Sequence, residues 1–196
     1  MDEDGGKDAA PWSRVTGKGV YPVEHAWMLL LPLRRLICPP AMLIRRMRLA
    51  RTDRVLEIGC GPGYFSPAVA RRVSHLTLFD YQDGMLDIAE KRLKRRGLEN
   101  HARQRGDAKA LPFADGTFDT AFMVTVLGEV GDAGAALREA GRVLKPGGRL
   151  SITEVKGDPD FVPLDTLTAL AAASGLSLEQ RFGPRFYYTA NFRKPE

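Results

Sequence analysis

Three glycines at alternate positions, Gly59, Gly61 and Gly63, follow an apolar run in VLEIGCGPGYFSPAVA, residues 55–70. Glycine lets the main chain turn sharply and lets a ligand lie against bare backbone. The spacing is G-x-G-x-G, not the G-x-G-x-x-G of a dinucleotide loop, and Tyr64 stands where the third fingerprint glycine would fall. No Lys-Ser/Thr pair closes the segment, which excludes a phosphate-cradling P-loop. Taken alone, the stretch is also compatible with a plain strand-to-helix turn. Asp80 changes that balance. It lies about 20 residues beyond the glycines, where a carboxylate can accept from both hydroxyls of a ribose because it offers two oxygens. Gly106-Asp107-Ala108 adds a third rim. There Asp107 can accept from an exocyclic amine and the adjoining amide can donate to a ring nitrogen, a pair that reads adenine.

These residues need a scaffold that brings three loops to one edge, and the flanking pattern predicts one. RVLEIGC reads as a buried strand. Ser66 is suited to cap the next helix, with Pro67 at its first position. HLTLFD, residues 75–80, is a second strand. Asp83 can cap the helix GMLDIAEKRLKRR, which Gly97 stops. HARQRGDA is a third strand, and TFDTAFMVTVL, residues 117–127, a fourth. Asp132 can cap GAALREAGRVL; KPGG ends that helix, and RLSITEV is a fifth strand. Strands alternating with single helices imply a parallel α/β sheet with right-handed crossovers. A short helix then runs from Leu164 to Ser174. LSLEQRF and RFYYTANF, separated by a Gly-Pro turn, should pair antiparallel. In the second, Phe186, Tyr188, Ala190 and Phe192 alternate with Tyr187, Thr189, Asn191 and Arg193. The expected architecture is a three-layer Rossmann-like sandwich, a mostly parallel seven-stranded sheet with an antiparallel C-terminal hairpin. Ligands in such a sheet bind beyond the carboxyl ends of the strands, where strand order reverses.

VLEIGCGPG, LFDYQDGMLDIA, GDAKALPFADGTFDTAF and REAGRVLKPGGRL, in that order, resemble the motifs of the class I S-adenosylmethionine-dependent methyltransferases. The likeness is strongest to the branch that includes the ubiquinone/menaquinone methyltransferases, and it covers about Arg54 to Val155. The resemblance implies S-adenosylmethionine as cofactor and no metal. It implies that Glu57 helps hold the methionine amine. Gly59, Cys60, Gly61 and Gly63 would line the methionine portion and ribose. Asp80 would take the ribose hydroxyls, Tyr81 would pack on the adenine, and Asp107 with Ala108 would read its edge. Thr125 would offer a backbone carbonyl to the amine. The family often carries a histidine or aromatic just after the fourth strand; here the text is VLGEV, so the acceptor pocket stays unassigned. Tyr21, His25 and Glu129 are the candidates for a general base, should the acceptor need one.

The rest of the chain bounds the partners. With 196 residues, 44% hydrophobic and 27% charged, it has the composition of an ordinary globular protein. Two cysteines, Cys38 and Cys60, argue against a disulfide framework or zinc cluster and for a cytoplasmic setting. The formal charge of +5 permits anionic partners. The basic run KRLKRR carries no interleaved aromatics for base stacking, so nucleic acid is not favoured. Residues 1–19 read as a polar, flexible tail. Residues 20–50 read as a helical lid or substrate segment cut by Pro32, Pro39 and Pro40, and residues 51–196 as the cofactor-binding domain. In residues 21–47, Trp27, Met28 and the leucines sit beside arginines such as Arg34 and Arg35. That mixture suits packing on the sheet, a small or amphiphilic acceptor, or contact with the inner face of a membrane. The longest apolar run, Ala26 to Leu33, is too short to span a bilayer. Rival readings are an RNA or protein methyltransferase and a cofactor-binding subunit without catalysis. A dehydrogenase is disfavoured by Tyr64 and by the Gly-Asp-Ala turn.

Overall fold

A computed structural model describes residues 21–31, 36 and 38–196. The expected tail, Pro32 and the Arg34-Arg35 pair lie outside the described residues. A 3-10 helix, Val23–Leu30, comes first, and then α1, Pro40–Met47. The alternating part follows: β1 (Arg54–Ile58), α2 (Ser66–Ala70), β2 (His75–Asp80), α3 (Asp83–Lys94), β3 (His101–Arg105) and β4 (Phe118–Val124). A 3-10 turn at Leu127–Glu129 leads to α4 (Ala133–Val143), β5 (Leu144–Val155), α5 (Leu164–Ala173), β6 (Ser177–Phe182) and β7 (Tyr187–Arg193).

The seven strands form one sheet in the order β3-β2-β1-β4-β5-β7-β6. β1 pairs in parallel with both β2 and β4, so the order reverses at β1. β7 lies antiparallel between β5 and β6, as the C-terminal pattern requires. Two apolar layers cover the sheet. Ala136, Leu137 and Ala140 of α4 and Leu167 and Ala171 of α5 pack on one face with Leu56 and Ile152. On the other, Leu43 and Met47 of α1 join Val69, Leu86, Ala89 and Leu93 over Val55 and Leu76. Each fully buried leucine, isoleucine, valine or methionine among them contributes roughly 1.5–3 kcal/mol, and each alanine less. α1 is also tied to β7 by polar bonds: the Arg46 guanidinium donates to Thr189 Oγ1 at 3.2 Å, and Asn191 Nδ2 donates to the Arg46 carbonyl at 2.8 Å.

Several local expectations change. Ser66 is the first residue of α2 rather than its cap; its hydroxyl is buried and makes no capping bond. Asp83 is likewise the first residue of α3, and its carboxylate reaches across to Arg105 at 3.1 Å. Asp132 does cap α4, accepting from Ala135 N at 2.8 Å. KPGG does not separate helix from strand, because β5 already begins at Leu144. Gly147 N donates to the Lys194 carbonyl and Lys194 N to that of Gly148, so the C-terminal segment captures this stretch. β4 ends at Val124, three residues early, where Thr125 turns into the left-handed region at φ 51. Tyr188 to Phe192 are all buried, because helices cover both faces of β7. Phe186 falls outside the strand and is exposed.

Candidate functional site

A cleft of about 780 Å³ opens beyond the carboxyl ends of the strands, around the point where strand order reverses. Glu57, Gly59, Cys60, Gly61, Asp80 and Tyr81 line it. So do Asp107, Ala108 and Thr125, and, of the candidate bases, Tyr21 and Glu129. Two expected residues stand elsewhere. His25 is not among the lining residues. Neither is Gly63; a Cβ there would lie 2.8 Å from Ala89 Cβ, so this glycine lets the turn close on α3. Its carbonyl accepts from Arg92 Nε.

The glycine loop is stitched to the end of β2. Gly59 N and Cys60 N both donate to the Phe79 carbonyl, at 2.8 and 3.1 Å. Gly61 N donates to Asp80 Oδ2 at 2.8 Å, and Gln82 N to Asp80 Oδ1 at 3.0 Å. The Tyr81 backbone bonds the same carboxylate, and two oxygens with about four acceptor sites still leave room for a ligand. Burial raises the Asp80 carboxyl, and those N–H groups oppose the rise. Gly59, at φ 69, faces Val126, where an added Cβ would come within 2.5 Å of the valine methyls. Arg142 fixes the loop that follows Asp107. Its guanidinium donates to the carbonyls of Leu111 and Phe113 while pairing with Glu139 and Asp115.

Glu57, on β1, is 3% exposed, and its Oε2 has no hydrogen-bond partner among the described residues. Burial pushes its carboxyl up to about 8; the nearby Ser66 hydroxyl opposes that and Asp80 adds to it. Cys60 is driven well above the usual thiol range, chiefly by burial and then by Glu57 and Asp80, which disfavours a reactive thiolate at this point of the cleft lining.

Sequence reasoning missed the residues on the far side of the cleft. Asp158, Pro159 and Asp160, from the β5–α5 loop, line it opposite the glycines. Their position at the carboxyl end of a parallel strand was the available signal. Gln82 was also missed. Its Nε2 donates to the Tyr21 carbonyl at 2.7 Å, while the Tyr21 backbone N–H opposes the rise in the Glu129 carboxyl. Val23 packs against Gly84 at the start of α3, and Leu29 approaches Gly61. The 3-10 helix is thereby laid against both the glycine loop and α3.

Glu129 and Glu154 are also raised to about 8, by burial first and then by Asp158. With Glu57, three glutamates keep their protons in the folded chain up to about pH 8 but release them near 4.5 when unfolded. The folded state therefore binds more protons across that window, and stability must fall as pH rises through it. Glu139 and Glu179, held low by Arg142 and Arg149 respectively, act in the opposite sense below the usual carboxylate range. The urea midpoint of the ligand-free protein is expected to be higher at pH 6 than at pH 8.5. An equal or rising midpoint would contradict the burial of these acids.

Known proteins fit this geometry. Residues 55–148 match the family described as "Methyltransferase domain". The "Ubiquinone/menaquinone biosynthesis C-methyltransferase UbiE" of Idiomarina loihiensis is 40% identical over 108 residues, 53% of this chain and 43% of the relative. A structure described as a SAM-dependent methyltransferase from Aquifex aeolicus superposes with a TM-score of 0.81 at 20% identity, covering 89% of this chain and 99% of its own. The "[4+2]-Cyclase SpnF" also shares the fold, with a TM-score of 0.72 at 22% identity over 80% of this chain and 79% of its own. Residues 55–148 thus carry a methyltransferase domain, and its relatives imply S-adenosylmethionine as the cofactor. The sequence is similar to the ubiquinone/menaquinone branch of the class I S-adenosylmethionine-dependent methyltransferases, and the match spans less than half the length of that curated relative.

Proposed function

We propose that this chain transfers a methyl group from S-adenosylmethionine to a small-molecule or amphiphilic acceptor by in-line displacement. The observation that carries the reading is the breadth of the cleft. It is lined on the β1, β2 and β3 side by the glycine loop, Asp80 and Asp107, and it continues over β4 and β5 to residues such as Val126, Val130 and Pro159. A cofactor and an acceptor together need that room.

The residues present suit the cofactor. The unpartnered, buried oxygen of Glu57 can take the methionine amine, and an arriving cation favours the ionised carboxylate that burial otherwise opposes. Asp80 retains acceptor room for the ribose hydroxyls. Tyr81, 57% exposed at the rim, presents a ring face to adenine, and Asp107 with Ala108 its edge. Thr125, in a left-handed conformation that is rare for a β-branched residue, turns the main chain at the end of β4 beside the amine position. When bound, the cofactor supplies a methyl carbon already activated by a sulfonium. The protein's part is to align the acceptor and exclude water. The cover for that is the segment from Tyr21 to Leu31, clamped by Gln82 and Glu129. α1, with Met47 fully buried, serves as core rather than cover.

Trp27, Met28, Leu31 and Leu36 are exposed, a composition suited to an amphiphilic acceptor or to a membrane face on the cytoplasmic side. Among the described residues no helix is long and apolar enough to cross a membrane. A quinone-like acceptor is a second reading, favoured by the relative from Idiomarina loihiensis. The shared fold of a protein described as a cyclase leaves room for a chain of this class that does not methylate. Labelled methyl from S-adenosylmethionine, incubated with the protein and a cell extract, is expected in the lipid or small-molecule fraction. Label confined to nucleic acid or protein would move the acceptor to a macromolecule, and no transfer with cofactor bound would reject catalysis.

A further inference from the structure

A second groove lies apart from the cleft. It encloses about 580 Å³ between α1 and α2, and none of its lining residues lines the cleft. Its rim is cationic. Arg45 on α1, Arg48 just beyond it, and Arg71 and Arg72 just beyond α2 converge there, and among the described residues the lining includes no acid. All four are exposed, and among the described residues no ion pair joins any of them. Other arginines of this chain do find acids. Arg103 pairs with Asp87, Arg105 with Asp83, Arg142 with Asp115 and Arg193 with Glu179.

Local structure does not use up these charges. A cation in the last turn of a helix is favourable against the helix dipole, and Arg45 and Arg46 stand there on α1. Arg46 is also held by tertiary partners, bonding Thr189 and lying over the Tyr187 ring at 5.4 Å. Arg45 has no such anchor among the described residues. α2 is five residues long, so its dipole is a weak reason for two arginines after it. Arg71 donates one long bond, to the Pro67 carbonyl at 3.4 Å. Arg48 ends α1 in the left-handed region, at φ 54, and the turn it makes brings Leu49 to the groove beside its own side chain. Leu49 and Ile44 form the floor, half-buried and packed on the core beneath α1.

Four guanidinium groups around one space repel one another until an anion joins them. Their forks match phosphate oxygens in pairs, and a phosphate monoester carries a charge of about −1.5 to −2 at neutral pH. The apolar floor adds a seat for a carbon chain. Among the described residues the lining has no aromatic side chain on which bases could stack, so nucleic acid is the poorer fit.

We propose that this groove binds an amphiphilic phosphate ester, with Arg45, Arg48, Arg71 and Arg72 on the phosphate and Ile44 and Leu49 under the hydrocarbon. The site is separate from the cleft and does not depend on the methyl-transfer reading. The ester can be a free small molecule or the headgroup of an anionic lipid.

The test is calorimetric titration of the full chain at low ionic strength with hexyl phosphate, inorganic phosphate and 1-hexanol. Hexyl phosphate is expected to bind one-to-one, roughly tenfold or more tighter than either of the others. Arg45→Gln combined with Arg72→Gln should weaken it by roughly tenfold or more, with S-adenosylhomocysteine affinity and urea midpoint unchanged. Arg95→Gln combined with Arg96→Gln removes the same charge at exposed positions outside the groove and should leave hexyl phosphate within about twofold. A lipid arm compares vesicles of choline-headgroup lipid with the same vesicles containing phosphatidic acid. Preference for the phosphatidic-acid vesicles, lost in the groove variant, assigns a lipid source; binding of the soluble ester without that preference assigns a free one. No saturable binding of hexyl phosphate together with no vesicle preference overturns the proposal. An equal loss in the two double variants overturns it as well, since net charge alone would then explain the binding. Hexyl phosphate no tighter than inorganic phosphate removes the amphiphile. A single-stranded oligonucleotide that binds more tightly than hexyl phosphate, and loses that affinity only in the groove variant, overturns the proposal in favour of nucleic acid.

Discussion

Asp80→Ala is expected to weaken S-adenosylhomocysteine binding by about 1.5–3 kcal/mol, the worth of hydrogen bonds to a charged group, or roughly ten- to a hundredfold in affinity. Two losses combine in that figure. The ribose hydroxyls lose their acceptor, and Gly61 N and Gln82 N, bonded to Oδ2 and Oδ1 at 2.8 and 3.0 Å, lose theirs. Among the described residues, the hydrogen bonds left between the glycine loop and β2 would then be those to the Phe79 carbonyl. Asp80→Asn, which keeps one oxygen acceptor, should fall between the wild type and the alanine variant. Calorimetry on the three proteins checks the order, and unchanged affinity in Asp80→Ala would remove the ribose role.

Gly128→Ala is the second large effect. Its new methyl would sit inside the van der Waals radius of the Asp160 carbonyl oxygen, so the 158–160 loop must retreat or the turn must open. Overpacking of this kind costs about 1–3 kcal/mol, visible as a lower urea midpoint. The functional loss should be uneven. Turnover should fall more than cofactor affinity, because the displaced loop stands over β4 and β5 while the glycine loop and Asp80 stand over β1 and β2. Gly131→Ala is the control, since an added Cβ there meets nothing within 4 Å and the backbone is not left-handed. A Gly128→Ala protein with the stability and turnover of the Gly131→Ala protein would show that the close packing of loop on turn does not matter.

The cofactor half was legible in the sequence because its signals are local. A glycine turn after a buried strand, an acid at the end of the next strand and a Gly-Asp-Ala turn after the third each announce themselves within a few residues. Parallel alternation then forces them to one edge of the sheet. Where local signals misled, a longer-range partner had intervened. Ser66 and Asp83 have the chemistry of caps, but the first was claimed by burial and the second by Arg105. Gly63 reads as part of a ligand loop, yet α3 decides its role through Ala89. The β4–β5 side of the cleft was not legible. Glu129 and Asp160 are far apart in sequence, and only the closeness of the β5–α5 loop to Gly128, which no pattern of residue types encodes, makes them neighbours. α1 was likewise ambiguous from its amphipathic text. The bonds from Arg46 to β7 and the burial of Met47 place it in the core.

The most direct measurement for the central claim is a pair of calorimetric titrations on the wild-type chain, one with S-adenosylhomocysteine and one with a nicotinamide dinucleotide. Saturable one-to-one binding of S-adenosylhomocysteine, with no heat from the dinucleotide, is the predicted result. Binding of the dinucleotide with none of S-adenosylhomocysteine would contradict the assignment of Gly59, Gly61, Asp80 and Asp107 to this cofactor.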